Sequence, residues 1–173
     1  MKSILRRTVS AFVISVPLLA GVAVAPAAAE EGRPTVTHWV SPRGDVSELL
    51  SIRSSRFNRF DRLIFDFRGP LPRHFDYGFF DRLRDSHDSF VDLPGRSFPL
   101  FRLHGARGHD FRDLRTYGGP WRFLTPGLGN IRGFAITDDF REDLAFGLGL
   151  DRRSWVRMHT LGDPSRLMVD VGW

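Results

Sequence analysis

The chain has 173 residues, of which 13% are aromatic and 26% are charged, and it contains no cysteine. Without cysteine there is neither a disulfide framework nor a thiol nucleophile, so the fold has to rest on an ordinary hydrophobic core. The formal net charge is +5, but three of the 25 basic residues lie within the first 29 residues, which leaves 22 arginines against 20 carboxylates. These charges are interspersed, a pattern that indicates a solvated surface and argues against nucleic acid as a partner.

The first 29 residues have the three parts of a cleavable signal peptide. Lys2, Arg6 and Arg7 form a positive region, residues 11–24 are apolar, and small residues end the segment. The alternative is a retained membrane anchor, but the apolar run is shorter than the roughly 20 residues of a spanning helix and contains Pro17. We expect a secreted, extracytoplasmic protein without a membrane span after cleavage, with the general and twin-arginine export routes both open.

Residues 30–44 lack sustained periodicity and contain several glycines and prolines, which predicts a flexible leader. From residue 45 to residue 173, short apolar runs alternate with Gly, Pro and Asp turns, which is typical of one all-β domain. About eight strands are predicted, enough for a two-sheet β-sandwich. They cover residues 46–53, 60–67, 75–83, 98–103, 131–137, 144–150, 155–160 and 166–171.

Two of these strands repeat one pattern, an arginine followed by three apolar residues, an aspartate and a further apolar residue. The first copy runs from Arg62 through Asp66, and the second from Arg166 through Asp170. Residues four apart in a strand lie on the same face. The favoured interpretation is two strands that exchange charge pairs on one sheet face while the intervening residues enter the core. A binding role for these charges is the alternative.

Four stretches between residues 57 and 171 share their order and spacing with a known family. They are FDRLIFDFRG, LTPGLGNIRGFAITDDF, FGLGLDRR and PSRLMVDV. Together they resemble the AMIN-like domain of exported actinobacterial proteins, which is related in pattern to the AMIN domain of cell-wall amidases and pilus secretins. The resemblance implies a β-sandwich that acts as a non-catalytic, envelope-binding module, apparently through peptidoglycan. It supplies no catalytic motif to transfer.

Residues 105–123 are rich in Gly, Arg and aromatic residues and have no clear period, so they predict a long loop, and such loops are often functional. Aromatic rings can stack on sugar rings, and guanidinium groups can pair with peptidoglycan carboxylates or wall-polymer phosphates. This loop is therefore the expected ligand-binding site. Its candidate residues are Arg107, Arg112, Arg115, Tyr117, Trp121 and Arg122.

Two alternatives to this loop site are open. Trp121 and Phe123 can instead fold back and cap the open end of the sandwich. Arg59, Arg62 and Arg68 form a weaker second patch, unless they belong to the charge pairs of the repeated strands.

No catalytic residue, metal or cofactor is expected. There is no G-x-S-x-G, H-E-x-x-H or G-x-x-x-x-G-K motif, and residues 30–173 contain no lysine for Schiff-base chemistry. A Ser-His-Asp triad stays open because its members need not be adjacent in sequence.

The six histidines have no spacing at which two would converge on one metal ion. The nearest approach to a ligand set is His104 and His109 with Asp110 and Asp113, interpreted as ordinary loop residues. Four further carboxylates are interpreted as a solvated turn between two strands rather than as a calcium site or a glycosidase pair. They are Asp138, Asp139, Glu142 and Asp143.

The sequence thus predicts an exported β-sandwich that binds a cell-wall polymer or an envelope protein without catalysis. A protein-interaction domain would show a flat exposed apolar patch, and a small wall hydrolase would need an acid and a base in a concave site. A groove shared by Tyr117, Trp121 and the arginines would favour glycan binding, whereas inward packing would favour a protein partner. The oligomeric state is left open.

Overall fold

The structure is a computed structural model, and it describes residues 35–37 and 46–173. The predicted signal peptide, and the predicted leader apart from one short strand, lie outside the described residues. Within these residues there is no helix of the length and apolarity needed to cross a membrane.

The described residues form an all-β fold, as predicted, but with thirteen strands rather than about eight. Each expected strand is present, except that the strand predicted over residues 75–83 breaks after Phe80. The five additional strands have two or three residues each, too few for a period-2 pattern to be visible. The strands are β1 (Thr35–Thr37), β2 (Ser47–Arg56), β3 (Phe60–Arg68), β4 (His74–Phe80), β5 (Leu83–Arg84), β6 (Phe90–Val91), β7 (Phe98–His104), β8 (Ala106–Arg107), β9 (Arg122–Leu124), β10 (Ile131–Phe140), β11 (Asp143–Leu150), β12 (Val156–Gly162) and β13 (Ser165–Gly172).

Two sheets make up the sandwich. The six-stranded sheet has the order β1-β4-β7-β11-β10-β9, and the five-stranded sheet has the order β12-β13-β3-β2-β8. The strands β5 and β6 pair separately as a small ribbon. Every pairing is antiparallel except that of β2 with β8. The pairing of β1 with β4 attaches part of the predicted leader to the six-stranded sheet.

Strand β3 shows why the sheets face each other. Leu63, Phe65 and Phe67 are buried while the residues between them are half-exposed, as strand alternation requires. The ring of Phe65 lies 4.6 Å from that of Phe146 on β11, and the rings of Phe146 and Phe101 are stacked at 4.7 Å. An aromatic core therefore joins the two sheets and provides much of the buried apolar area.

Candidate functional site

The repeated arginine-aspartate strands are neighbours in the five-stranded sheet. In the β13–β3 register, Asp170 lies opposite Arg62 and Arg166 lies opposite Asp66. The guanidinium of Arg62 donates to both oxygens of Asp170 at 2.6 and 2.7 Å, and Arg166 Nε donates to Asp66 Oδ1 at 3.0 Å. The predicted exchange of charge pairs on one sheet face is confirmed. These side chains bind one another and stabilise strand pairing.

Asp66 has a second cationic partner, Arg53. Arg53 on β2 donates to both of its oxygens, and Ser51 donates to Oδ2. Partial burial alone would raise the pKa of Asp66, but the hydrogen bonds from Arg53 and Ser51 outweigh it, so the pKa is lowered. This carboxylate is held ionised at the centre of the ladder.

Arg107 also forms a structural ion pair, although it is the first of the predicted ligand-binding residues. It lies opposite Glu48 in the parallel β2–β8 register, and its Nη2 is 3.0 Å from Glu48 Oε1. Arg68 donates to the other oxygen of the same carboxylate. Burial raises the pKa of Glu48, but the two guanidinium groups outweigh it and the pKa is lowered. Glu48 thus neutralises much of the charge that Arg107 and Arg68 could offer a ligand.

Tyr117 packs inward. Its side chain is 4% exposed within the main core cluster, and its hydroxyl donates to the carbonyl of Pro120 at 3.2 Å. Burial raises the pKa of this phenol. Its ring face is therefore not available for stacking against a sugar.

The other loop candidates point in separate directions. Trp121 is 40% exposed, and Arg115 lies 5.5 Å from its ring centroid while donating to the carbonyl of Gly119. Arg112 covers the neighbouring Phe111, and Arg122 donates to the carbonyl of Asp92. The six candidates therefore do not form one groove. Because Tyr117 packs inward and no shared groove forms, this loop favours a protein partner over a glycan.

Phe123 and Trp121 differ in burial. The ring of Phe123 stacks on Phe134 at 4.9 Å against the core, as a cap would. Trp121 instead lines a cavity of about 610 Å³ together with His87, Asp138 and Asp139. The capping interpretation describes Phe123 but not Trp121.

This Trp121 cavity is acidic. Strand β10 extends to Phe140, so Asp138 and Asp139 are strand residues, and their assignment to a solvated turn was wrong. Asp139 has a side chain only 4% exposed and accepts a hydrogen bond from the backbone N–H of Gly108 at 2.9 Å. Burial raises the pKa of Asp139 despite this hydrogen bond. An anionic polymer would be repelled here.

A second concave surface lies at the edge of the five-stranded sheet where β3 and β12 begin and β13 ends. It has a volume of about 440 Å³, and Trp155 and Phe57 on its wall are 45% and 43% exposed. We call it the Trp155 groove. It is lined by Phe57, Asn58, Arg59, Phe60, Trp155, Arg157 and Asp170, and the carboxylate of Asp170 is paired with Arg62.

Aromatic contacts build the floor of the Trp155 groove. Phe57 and Phe60 are stacked at 4.8 Å, and Phe60 lies 6.1 Å from Trp155. The guanidinium of Arg157 lies 5.0 Å from the indole centroid. Arg59 and Arg157 are exposed, and neither forms an ion pair within the described residues. Their charge is therefore open to a ligand, unlike that of Arg107.

Gly172 fixes the position of the indole. A Cβ at this residue would collide with Trp155, so only glycine permits the close approach. The backbone N–H of Gly172 also donates to the carbonyl of Trp155 at 3.0 Å. The indole thus packs against the backbone of Gly172, and the groove is formed by residues about 100 positions apart in sequence.

The histidines also differ from expectation. His74 and His104 face each other across β4 and β7, with Asp76 beside them, so the prediction that no two would converge was wrong. His109 instead approaches Asp113 and Asp139, at 3.6 and 3.8 Å. The suggested grouping of His104 with His109 does not occur.

A family model described as the AMIN-like domain matches residues 47–172, from the start of β2 to the end of β13. No curated protein and no solved structure matches the chain. AMIN-like domains are associated with the cell envelope and are generally binding modules rather than enzymes.

Proposed function

Since the chain belongs to the AMIN-like domain family, we propose that it is an exported, non-catalytic module that binds an anionic cell-wall polymer of the peptidoglycan class. The binding surface is the Trp155 groove. The observation that carries this proposal is the combination of two exposed rings, Trp155 and Phe57, with Arg59 and Arg157, which lack an ion-pair partner among residues 46–173.

The chemistry of the groove suits such a polymer. Flat aromatic faces bind the apolar faces of sugar rings, while a guanidinium fork pairs with a carboxylate or phosphate in two parallel hydrogen bonds. The guanidinium of Arg157 lies over the indole at 5.0 Å from its centroid, so an anionic group paired with it would lie within the width of one sugar from the ring. The absence of a side chain at Gly172 lets the indole pack against the backbone at this end of the groove.

The other surfaces fit this role less well. The cavity beside Trp121 has Asp138 and Asp139 in its wall, and carboxylates disfavour an anionic ligand. Arg115 and Trp121 retain part of the chemistry predicted for the loop, but the cavity that Trp121 lines has these two carboxylates in its wall. The signal-peptide pattern of residues 1–29 supports export to the compartment that contains the polymer.

The test is cosedimentation of the purified protein with insoluble peptidoglycan at low ionic strength. Two matched double variants each remove one half-exposed tryptophan and its neighbouring arginine: Trp155→Ala with Arg157→Ala, and Trp121→Ala with Arg122→Ala. We expect the wild type and the Trp121 variant to sediment and the Trp155 variant to stay in solution. Circular dichroism verifies that each variant is folded.

The remaining outcomes contradict the proposal in different ways. Loss of binding only in the Trp121 variant would move the site to the loop predicted from the sequence. Failure of the folded wild type to sediment would exclude peptidoglycan as the ligand. Release of soluble sugar fragments during the incubation would show hydrolysis, contrary to a non-catalytic role.

A protein partner in the envelope is the second candidate function. Phe111 and Leu114, at the tip of a loop, are 75% and 60% exposed, as expected for side chains that a partner would cover. Replacing both with serine would leave peptidoglycan binding unchanged and abolish capture of an envelope protein by the immobilised chain. An unchanged capture profile would exclude this surface.

A further inference from the structure

We propose that His74, Asp76 and His104 bind a divalent transition-metal ion of the zinc class on the outer face of the six-stranded sheet. Antiparallel pairing of β4 with β7 places His74 directly opposite His104, and Asp143 at the start of β11 lies opposite His104 on its other side. Asp76 is two residues after His74, so strand alternation places both side chains on one face.

The distances are close to those of a metal site. One ligand atom from each of the three residues lies within 4.8 Å of the other two, and His104 Nε2 is 3.2 Å from Asp76 Oδ2. Zinc bonds of 2.0–2.1 Å in a tetrahedron place neighbouring ligand atoms about 3.3 Å apart. One pair already has this spacing. The imidazole of His74 is stacked on that of His104 with their centroids 5.4 Å apart, so the His74 ring has to turn to complete the set.

The two ring nitrogens of His104 face different carboxylates. Nδ1 lies 2.7 Å from Asp143 Oδ1, and Nε2 lies 3.2 Å from Asp76 Oδ2. In the metal-bound state, Nδ1–H would donate to Asp143 while Nε2 and the Asp76 carboxylate share the ion. A histidine oriented by a carboxylate behind it is the usual arrangement around protein-bound zinc.

The ligand types select the class of metal. Two imidazoles and one carboxylate suit zinc and neighbouring transition metals, whereas magnesium and calcium require oxygen ligands in greater number. Three protein ligands leave a fourth position for water or for a group on a partner molecule. The Trp155 groove belongs to the other sheet, so this site does not depend on the proposed polymer binding.

The experiment is calorimetric titration of the untagged protein, stripped with a chelator, with zinc chloride and separately with magnesium chloride. We expect one zinc ion per chain and no heat from magnesium. His74→Ala and His104→Ala abolish zinc binding, and Asp143→Asn, which removes the orienting carboxylate, weakens it about 10–100-fold. His159→Ala is the matched control, because this exposed histidine contacts Asp170 on the other sheet.

Two results would overturn the site. One is a wild-type protein that takes up no zinc, in which case His104 serves only to join the side chains of Asp76 and Asp143. The other is zinc binding of unchanged affinity in both histidine variants, which would assign the ion to other ligands. Circular dichroism with and without zinc verifies folding, and His74→Gln replaces any alanine variant that fails to fold. Visible absorption of the cobalt-substituted protein provides a second readout, lost in the same variants.

Discussion

The buried carboxylate of Asp61 accepts a hydrogen bond from the backbone N–H of Asn130 at 2.6 Å, although the two residues are 69 positions apart. Asp61 is fully buried at the start of β3, and its oxygens also accept the N–H groups of Gly129 and Ile131. Asn130 in turn donates to the carbonyl of Gly172 at 2.7 Å. One carboxylate thus joins the loop before β10 to the five-stranded sheet.

Replacing Asp61 with alanine is therefore expected to destabilise the fold by about 3 kcal/mol, because three backbone N–H donors, two of them buried, would lose their acceptor. Urea unfolding with an unchanged m-value measures this loss. Asp81→Ala, at an exposed turn position, is the control and should change the free energy of unfolding by less than about 0.5 kcal/mol. Equal effects of the two substitutions would show that the Asp61 network is not stabilising.

The charge ladder predicts a dependence of stability on acid pH. The pKa of Asp66 is lower in the folded protein than its ordinary value, so folding is favoured by its ionised form. This contribution is complete above the ordinary aspartate pKa of about 3.9 and is lost as pH falls through the lower, folded value. Asp66→Asn should flatten the decline in unfolding free energy below about pH 4. A decline as steep as that of the wild type would contradict the assignment.

The contribution of Asp139 to stability should have the opposite dependence on pH. Burial raises its pKa, so the protonated form favours folding and stability falls as pH rises from the ordinary value through the folded value. Asp139→Asn keeps an acceptor for the Gly108 N–H and removes the buried charge. We expect this variant to unfold at a higher temperature than the wild type at pH 7, with the difference vanishing at about pH 3. A lower unfolding temperature at pH 7 would refute this account.

Local pattern was sufficient to predict the eight longer strands but neither the five short strands nor the site. Strand β3 alternates buried and half-exposed residues, so its period is visible in the sequence, and the repeated Arg-Asp pattern predicted its pairing with β13. The Trp155 groove brings together Phe57 and Trp155, which are 98 positions apart in sequence. A contact over such a distance cannot be predicted from hydrophobic periodicity. The inward position of Tyr117 likewise depends on tertiary packing of a loop without a period.

Gly172 offers a test that links packing to binding. Gly172→Ala places a methyl group where the indole of Trp155 lies, so the ring must move and the geometry of the groove is lost. We expect a stability loss of about 1–3 kcal/mol, typical of overpacking, together with weaker cosedimentation with peptidoglycan. Gly162→Ala is the matched control, because a Cβ there meets no atom within 4 Å. If Gly172→Ala sediments as well as this control despite its lower stability, the orientation of Trp155 does not determine binding, and the aromatic contact with the polymer must be made elsewhere.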